Sequence, residues 1–293
     1  MPHSLPGTPG KYAELALPVL MLLAATPAGR RPFYDSHNNY TKGYTMTITS
    51  IARLSVLATA LVSGALLSGA AGAHQIWLEQ NDKAASVYFG EFGDNLREAS
   101  PGLLDKFTLK NVTWISAGTR KPLQASKTAG AFVLNGKVAP GETIIAEENS
   151  YPGWESKKDG KVLFSIWTPA ARIVADHSAQ APALTLDLLP TGTPGQFKVT
   201  YQGKPLPKAK VGAVVQSGWM REAYSDEQGL VSFPLPWQGG YVLEVHHEDK
   251  TGGQRDGKKY DNASYVTTLS LVQAQGVAPL PAPAPVAPSK DHG

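Results

Sequence analysis

The stretch Leu184-Thr-Leu-Asp-Leu188 opens a series of six short β-prone segments, and this series decides the fold. The other five segments span residues 196–201, 209–215, 230–233, 241–245 and 264–270. Gly, Pro and Asn residues separate them, and there is almost no helical periodicity. Short strands at this spacing are typical of a β-sandwich, so we predict a C-terminal sandwich lobe over residues 183–272.

The preceding part of the chain has the same character. Short apolar runs cover residues 75–79, 85–89, 108–115, 131–134, 143–146 and 162–167, and the one candidate helix is 97–104. We therefore predict an N-terminal β-rich lobe over residues 74–180 and an all-β chain of two sandwich-like lobes. Small residues at 179–183 mark the boundary. The Pro/Ala-rich residues 273–293 cannot bury a core, and we predict that they are disordered.

Residues 46–73 have the layout of a cleaved secretory signal peptide. Residues 46–53 form a short n-region with one positive charge, residues 54–69 are apolar, and Ala71-Gly72-Ala73 supplies small residues for cleavage after Ala73. The apolar run is too short and too rich in small residues for a membrane span of about 20 residues. Because a signal peptide begins a chain, we predict that Met46 is the true start, that 1–45 is a disordered upstream over-extension, and that the mature protein is periplasmic.

Charge and cysteine content exclude several classes of function. The chain has 27 Lys+Arg and 24 Asp+Glu, and removal of residues 1–73 takes away five basic and two acidic residues. The mature part then has no net charge, which argues against a nucleic-acid partner. The chain has no cysteine, so an exported form has neither disulfide bonds nor thiolate metal ligands.

Two segments resemble the transthyretin-like sandwich of carboxypeptidase regulatory domains. They are Gln202-Gly-Lys-Pro-Leu-Pro-Lys-Ala-Lys-Val-Gly-Ala213 and Ser225-Asp-Glu-Gln-Gly-Leu-Val-Ser-Phe233. Asp226 and Gly229 fit a tight hairpin turn, after which Phe233 returns to the core. The resemblance implies an immunoglobulin-like or transthyretin-like C-terminal lobe and implies no activity.

Over residues 74–272 the chain resembles a periplasmic family of domains of unknown function whose members are described as nickel or cobalt uptake components. The blocks that carry the resemblance are His74-Gln-Ile-Trp-Leu-Glu79, Tyr88-Phe-Gly-Glu-Phe92, Leu103-Leu-Asp-Lys106, His246-His-Glu-Asp-Lys-Thr-Gly252, Gly257-Lys-Lys-Tyr260 and Tyr265-Val-Thr-Thr-Leu269. The resemblance implies a soluble periplasmic protein that binds a divalent transition metal, with nickel or cobalt favoured.

His74 is the first candidate metal ligand because cleavage after Ala73 would make it the first residue. It would then offer both its α-amine and a ring nitrogen, whose ordinary pKa values lie near about 8 and 6.5, so both lose a proton readily around neutrality. Its alternative role is that of an ordinary strand start.

Three further histidines are candidate ligands. His246 and His247 end a strand and point to opposite faces, so they cannot easily bind one ion together. His247 continues the core face and suits a partly buried ligand, whereas His246 suits solvent or a cleft between the lobes. His177 lies at the lobe boundary, where ligand sites are favoured. A group of acidic residues near the turn at 90–93 (Glu91, Asp94 and Glu98) offers oxygen ligands, although such residues are ordinarily only a surface patch.

Nitrogen-rich sites without thiolate suit nickel, cobalt, copper or zinc rather than calcium or magnesium. We predict a non-enzymatic metal-binding protein that serves a membrane metal transporter. Two alternatives stay open: a copper-dependent oxidative enzyme with an amino-terminal histidine, and a metal-free carbohydrate-binding or structural sandwich in which Trp154 or Trp219 is exposed beside a turn. No Gly-x-Ser-x-Gly or His-Glu-x-x-His motif supports a hydrolase.

Overall fold

The computed structural model describes residues 74–289, which form twenty β-strands and one 3-10 helix, Leu103–Lys106. The strands of the first half are β1 Gln75–Gln80, β2 Ala85–Glu91, β3 Leu96–Arg97, β4 Asn111–Ser116, β5 Thr119–Pro122, β6 Ala125–Lys127, β7 Phe132–Leu134, β8 Thr143–Glu147, β9 Trp154–Lys158 and β10 Lys161–Val174. Those of the second half are β11 Leu186–Pro190, β12 Gln196–Tyr201, β13 Lys204–Pro205, β14 Lys210–Val215, β15 Met220–Tyr224, β16 Leu230–Ser232, β17 Gly239–Asp249, β18 Gly253–Arg255, β19 Lys258–Tyr260 and β20 Asn262–Gln273.

One nine-stranded sheet connects the two halves of the chain. Its order is β15-β14-β17-β20-β10-β8-β4-β5, with β9 also paired to β10. All neighbours are antiparallel except β10 and β20, which run parallel over residues 165–173 and 262–270. The all-β, sandwich-like prediction is confirmed, and the structure adds that the two predicted lobes share this sheet.

The two smaller sheets lie on opposite faces of the nine-stranded sheet. A five-stranded sheet contains β1-β2-β7-β6 and β3, and a four-stranded sheet contains β11-β12-β13 and β16. Along β17, Leu243 and Val245 pack into the core that includes β11 and β12, whereas Val242 packs with Trp77 of β1. Because side chains alternate along a strand, His246 lies on the same face as Val242, toward β1 and β2.

A buried ion pair joins the segment predicted as the lobe boundary to the sheet. Arg172 of β10 donates from Nε and Nη2 to the two carboxylate oxygens of Asp187 in β11, at 3.0 and 2.6 Å, and both side chains are fully buried. Asp187 also accepts the backbone N–H groups of Ala183 and Leu184. These contacts fix the connection between β10 and β11, which sequence alone marked only as a run of small residues.

The Asp226 turn has the geometry expected from its sequence. Oδ1 of Asp226 accepts the backbone N–H groups of Gln228 and Leu230, and Gly229 adopts a φ of +75°. A Cβ on Gly229 would meet the carbonyl oxygen of Val199 at 2.5 Å, so the turn needs glycine there.

The Pro/Ala-rich tail was predicted to be disordered, but Val277 pairs with Trp237 and residues 283–289 lie against the five-stranded sheet. The backbone N–H of Val286 donates to the carbonyl oxygen of Asn95, and the Asn95 side chain donates to the carbonyl oxygen of Pro283. Val286 also forms a parallel bridge with Leu96. The segment carries few apolar side chains to bury, but Asn95 forms hydrogen bonds with the backbone of Pro283 and Val286. We call residues 283–289 the strap.

Several predictions lie outside the described residues: the upstream extension 1–45, the signal peptide 46–73 and the last four residues of the tail. Within residues 74–289 no helix has the length and apolar character needed to cross a membrane.

Candidate metal centre

His74 lies directly before β1, between two carboxylates. Both β1 and β3 pair with β2 at Gly90, and this register places Glu91 and Glu98 beside the His74 ring. Nε2 of His74 is 2.7 Å from Oε1 of Glu98, and Nδ1 is 3.4 Å from Oε1 of Glu91. Both ring nitrogens of the predicted ligand therefore face acidic oxygens.

Gly90 allows this close arrangement. It has a φ of +140°, and a Cβ at this position would overlap the carbonyl oxygen of Leu96 in β3. A larger residue would force β3 away from β2, and Glu98 would move with it.

Glu98 is fully buried, which differs from the surface patch that the sequence suggested. Besides the His74 ring, it receives two hydrogen bonds from the strap: Ser289 donates its backbone N–H to Oε2 at 2.9 Å and its hydroxyl to Oε1 at 2.6 Å. A buried carboxylate is costly unless donors surround it, and these three donors meet that need. Of the three acidic residues near the turn, Glu98 is thus buried and holds the His74 ring, whereas Glu91 and Asp94 are more exposed.

The Glu98 contact decides how His74 presents its ring. Of the two carboxylates, Glu98 is the closer acceptor, and in the neutral imidazole whose proton lies on Nε2 toward Glu98, Nδ1 is the nitrogen with a free lone pair. A carboxylate that holds one ring nitrogen while the other binds an ion is the usual arrangement around metal-binding histidines. Nδ1 is also the ring nitrogen nearer to the histidine's own backbone nitrogen.

Glu91 lies among other negative groups. Burial raises the pKa of the Glu91 carboxyl, and a hydrogen bond with Asp94 and the negative charges of Asp94 and Glu244 raise it further, while the positive charge of a protonated His74 opposes them. The position therefore favours a proton or a cation next to Glu91.

Glu244 and His246 lie on β17 and line the same cavity as Glu91. They are two residues apart on one face of the strand, and Nε2 of His246 contacts Oε1 of Glu244. Together with Glu91 they line a cavity of about 530 Å³, and His246 and His74 both line a second cavity of about 480 Å³. Glu244 was not among the predicted site residues, although its two-residue spacing from His246 places both side chains on one face of a strand.

His247 lies on the opposite face, as the alternation predicted. Its ring centroid is 4.3 Å from that of Tyr201 in β12, and burial lowers its pKa while Asp249 opposes that effect. The structure therefore brings His246, rather than His247, to a cavity shared with His74.

His177 also lies apart from His74. It is in the connection between β10 and β11, with its ring centroid 6.3 Å from that of Phe197. It does not line either of the two cavities that His246 lines.

In residues 74–289, no three His, Asp or Glu side chains converge closely enough to hold a metal ion by themselves. This statement concerns side chains alone. Cleavage after Ala73 would add a further donor, the α-amine of His74. The residues fit an ion at His74 only if this amine joins Nδ1 and Glu91 as a third donor.

One comparison with known proteins gives a match. A family model described as a domain of unknown function (DUF4198) matches residues 71–249, more than half of the chain. This range contains His74, Glu91, Glu98 and His246. No curated protein matches the chain.

Proposed function

We propose that this chain, which belongs to the DUF4198 family, is an exported, non-enzymatic protein that binds a divalent transition metal at His74. The observation that carries the proposal is the pair of carboxylates at the His74 ring. Buried Glu98 holds Nε2 at 2.7 Å, and Glu91 lies 3.4 Å from Nδ1. One carboxylate orients the ring, and the other offers an oxygen ligand beside the free lone pair.

The α-amine supplies the donor that the side chains lack. In a protein that begins at His74, the amine and Nδ1 belong to one residue, so both nitrogens can bind one ion without further ordering of the chain. Both groups lose their protons near neutral pH, where the ion can compete for them. The family match begins at residue 71, close to the proposed cleavage point.

Nickel or cobalt is the ion we favour, and this preference comes from the resemblance of residues 74–272 to described nickel and cobalt uptake components. The donors themselves, nitrogen with a carboxylate oxygen, also suit copper and zinc. By the Irving–Williams order Cu²⁺ should bind most tightly of the four, so a panel of the four ions under one buffer condition measures how far the site departs from that order in favour of nickel or cobalt.

The remaining parts of the proposal concern location and partner. Export by residues 46–73 would bring the protein to the periplasm, and the ion would pass to a membrane transporter. The C-terminal sandwich, with its Asp226 turn, is proposed to be of the transthyretin-like type.

Two forms of the protein that begins at His74 test the proposal: one has a free α-amine, and the other is acetylated at that amine. The acetyl group converts the α-amine to an amide, introduces no new amine and leaves every side chain unchanged. Titration calorimetry with Ni²⁺ should give an affinity weaker by about 10-fold or more for the acetylated form, as expected when a metal site loses a supporting group. Equal affinities would overturn the proposal.

A further inference from the structure

The cavity of about 530 Å³ lies over one face of the strands β14, β15 and β17. The start of β1 and the turn between β2 and β3 form its wall, through Gln75 and residues 91–94. Because side chains alternate along a strand, its floor consists of every second residue of the three strands. These residues are Lys210, Gly212 and Val214 of β14, Met220 and Glu222 of β15, and Glu244 and His246 of β17.

Gly212 occupies the middle of this floor. It pairs with Glu222 on one side and with Glu244 on the other, so the Cα atoms of the two glutamates are two strand spacings, or about 10 Å, apart. Apart from its chain neighbours, a Cβ on Gly212 would have only Sδ of Met220 within 4 Å, at 3.9 Å. The floor is therefore bare between two carboxylate side chains.

The backbone does not require a glycine at this position. Gly212 is not among the glycines with positive φ, and its pairing with both neighbouring strands continues without a bulge. A glycine in a strand interior weakens the strand, and where no bulge, bend or second backbone accounts for it, it marks a place where a ligand approaches closely. The missing side chain of Gly212 therefore indicates a bound molecule.

Gln75 is a second, independent sign of a ligand. Only 6 % of the residue is exposed, and it lines the cavity. Its side-chain amide has no hydrogen-bond partner within residues 74–289. Because buried amides are ordinarily hydrogen-bonded, the amide of Gln75 is left to a partner that enters the cavity.

Negative charge dominates the cavity. The carboxylates of Glu91, Asp94, Glu222 and Glu244 all line it. Lys210 pairs with Glu222 at 2.9 Å, so no lysine or arginine of the lining balances the other three. A cavity with this excess of carboxylates attracts cations.

The spread of these charges selects the kind of cation. No three His, Asp or Glu side chains in the described part of the chain converge closely enough to hold a metal ion. An organic cation with two ammonium groups can instead reach carboxylates that lie apart. The apolar side chains of Phe92, Val214 and Met220 also line the cavity, and they suit the methylene groups that join two such ammonium groups.

We propose that this cavity binds an aliphatic diamine. One ammonium group is held by Glu91 and Glu244, with the side-chain carbonyl oxygen of Gln75 as a further acceptor. The methylene chain passes over Gly212, and the second ammonium group lies beside Glu222. The inference goes beyond the proposed metal site and does not depend on it, because neither a metal ion nor the α-amine takes part.

Three probes of one chain length test the proposal. At neutral pH, 1,5-diaminopentane carries two positive charges, 1-aminopentane carries one, and 1,5-pentanediol carries none. NMR titration of the ¹⁵N-labelled protein that begins at His74, in metal-free buffer of low ionic strength, measures each affinity and shows which groups shift. The diamine should bind about 10-fold more tightly than the monoamine, as expected for one further charge-assisted hydrogen bond, and the diol should not bind. The side-chain amide signals of Gln75 should shift with the diamine.

A side chain added at Gly212 should block the site. Gly212→Val should lower the affinity for the diamine by about 10-fold, because its methyl groups occupy the path of the chain, and Gly212→Ala should lower it by less. Valine is favoured in strands, so denaturant unfolding should find Gly212→Val no less stable than the unmodified protein. Gly240→Val is the matched control: Gly240 also lies in a strand without a positive φ and with open space around it, but it does not line this cavity.

Removing one carboxylate tests the charge of the site. Glu244→Gln keeps the shape of the side chain and should weaken binding of the diamine by about 10-fold. Glu248→Gln is the control, since Glu248 lies further along the same face of β17 and does not line the cavity. It should bind the diamine as the unmodified protein does.

Three results would overturn the inference. They are an unchanged affinity for the diamine in Gly212→Val, equal affinities for the diamine and the monoamine, and shifts of the Gln75 amide signals by Mg²⁺ that are as strong as those caused by the diamine. The last result would show a surface that attracts any cation. None of these results bears on Ni²⁺ binding at His74, which the acetylated form tests separately.

Discussion

Oε1 of the fully buried Glu98 lies 2.7 Å from Nε2 of His74, and the same oxygen accepts the hydroxyl of Ser289 at 2.6 Å. A residue at the start of the described domain and one at its end thus meet at a single carboxylate oxygen. Such an arrangement fixes the ring of His74 more firmly than a solvent-exposed pair could. The site is therefore rigid on its Nε2 side and open on its Nδ1 side.

Replacing Glu98 should weaken metal binding. Glu98→Gln keeps the shape of the side chain but removes the charge that orients the His74 ring, so the affinity for Ni²⁺ should fall by about 10- to 100-fold. Calorimetry on proteins that begin at His74 measures the effect. Glu155→Gln, in the fully exposed strand β9, is the control and should bind as the unmodified protein does. If Glu98→Gln bound Ni²⁺ as tightly as the unmodified protein, Glu98 would not be the residue that orients the His74 ring for metal binding.

The strap should support the same carboxylate. Ser289→Ala removes one hydrogen bond to Glu98, and Ser289→Thr keeps it, so the first should weaken Ni²⁺ binding by a few-fold and the second should not.

Hydrogen exchange of residues 94–99 should be faster in a protein truncated after residue 281, because Asn95 then loses the partners of its carbonyl oxygen and side chain. Unaltered exchange in the truncated protein would contradict a docked strap.

The pair of Arg172 and Asp187 should affect stability and leave metal binding unchanged. Asp187→Ala leaves a buried guanidinium without its partner, at a cost of about 3–5 kcal/mol in the free energy of unfolding. The double variant Arg172→Met/Asp187→Leu removes both charges and should cost much less. Denaturant unfolding measures both variants, and a single variant as stable as the double one would contradict the argument.

Asp249 should make the free energy of unfolding depend on pH in the acid range. Hydrogen bonds from the Thr251 hydroxyl, the Tyr201 hydroxyl and the Thr251 backbone lower the pKa of Asp249 to about 2. Because this folded pKa lies below the ordinary value of about 3.9, the stabilisation is complete above that value and is lost as the pH falls toward 2.

Urea unfolding of Asp249→Asn tests this dependence. The variant should be less stable at pH 7 by about 1 kcal/mol after allowance for solvent screening, and equal to the unmodified protein near pH 2. Asp256→Asn, at an exposed turn, is the control and should show no such difference. A constant difference across the pH range would show that the effect is not one of ionisation.

The sequence was most informative where strands bury alternate apolar residues. The predicted strand 196–201 has the same bounds as β12, and the opposite orientations of His246 and His247 followed from strand alternation alone. Strand β9 was missed because all five of its residues are exposed and no apolar pattern marks it. The length of β10 was missed as well, since its parallel partner β20 lies about ninety residues away and no local signal reports such pairing.

The burial of Glu98 was beyond sequence reasoning for a related reason. It follows a strand of only two residues, and its donors come from His74 and from a tail whose composition predicts disorder. An acidic residue near a turn is ordinarily exposed. Glu98 is buried and orients the His74 ring only because the fold brings His74 and Ser289, which are far apart in the sequence, to its carboxylate.

Anomalous diffraction at the nickel absorption edge, on crystals of the protein that begins at His74, tests the central claim most directly. We expect one strong peak within about 2.0–2.2 Å of both the α-amine nitrogen and Nδ1 of His74, with Nε2 still bonded to Glu98. A peak at another histidine, or none near His74 at saturating Ni²⁺, would contradict the proposed metal centre.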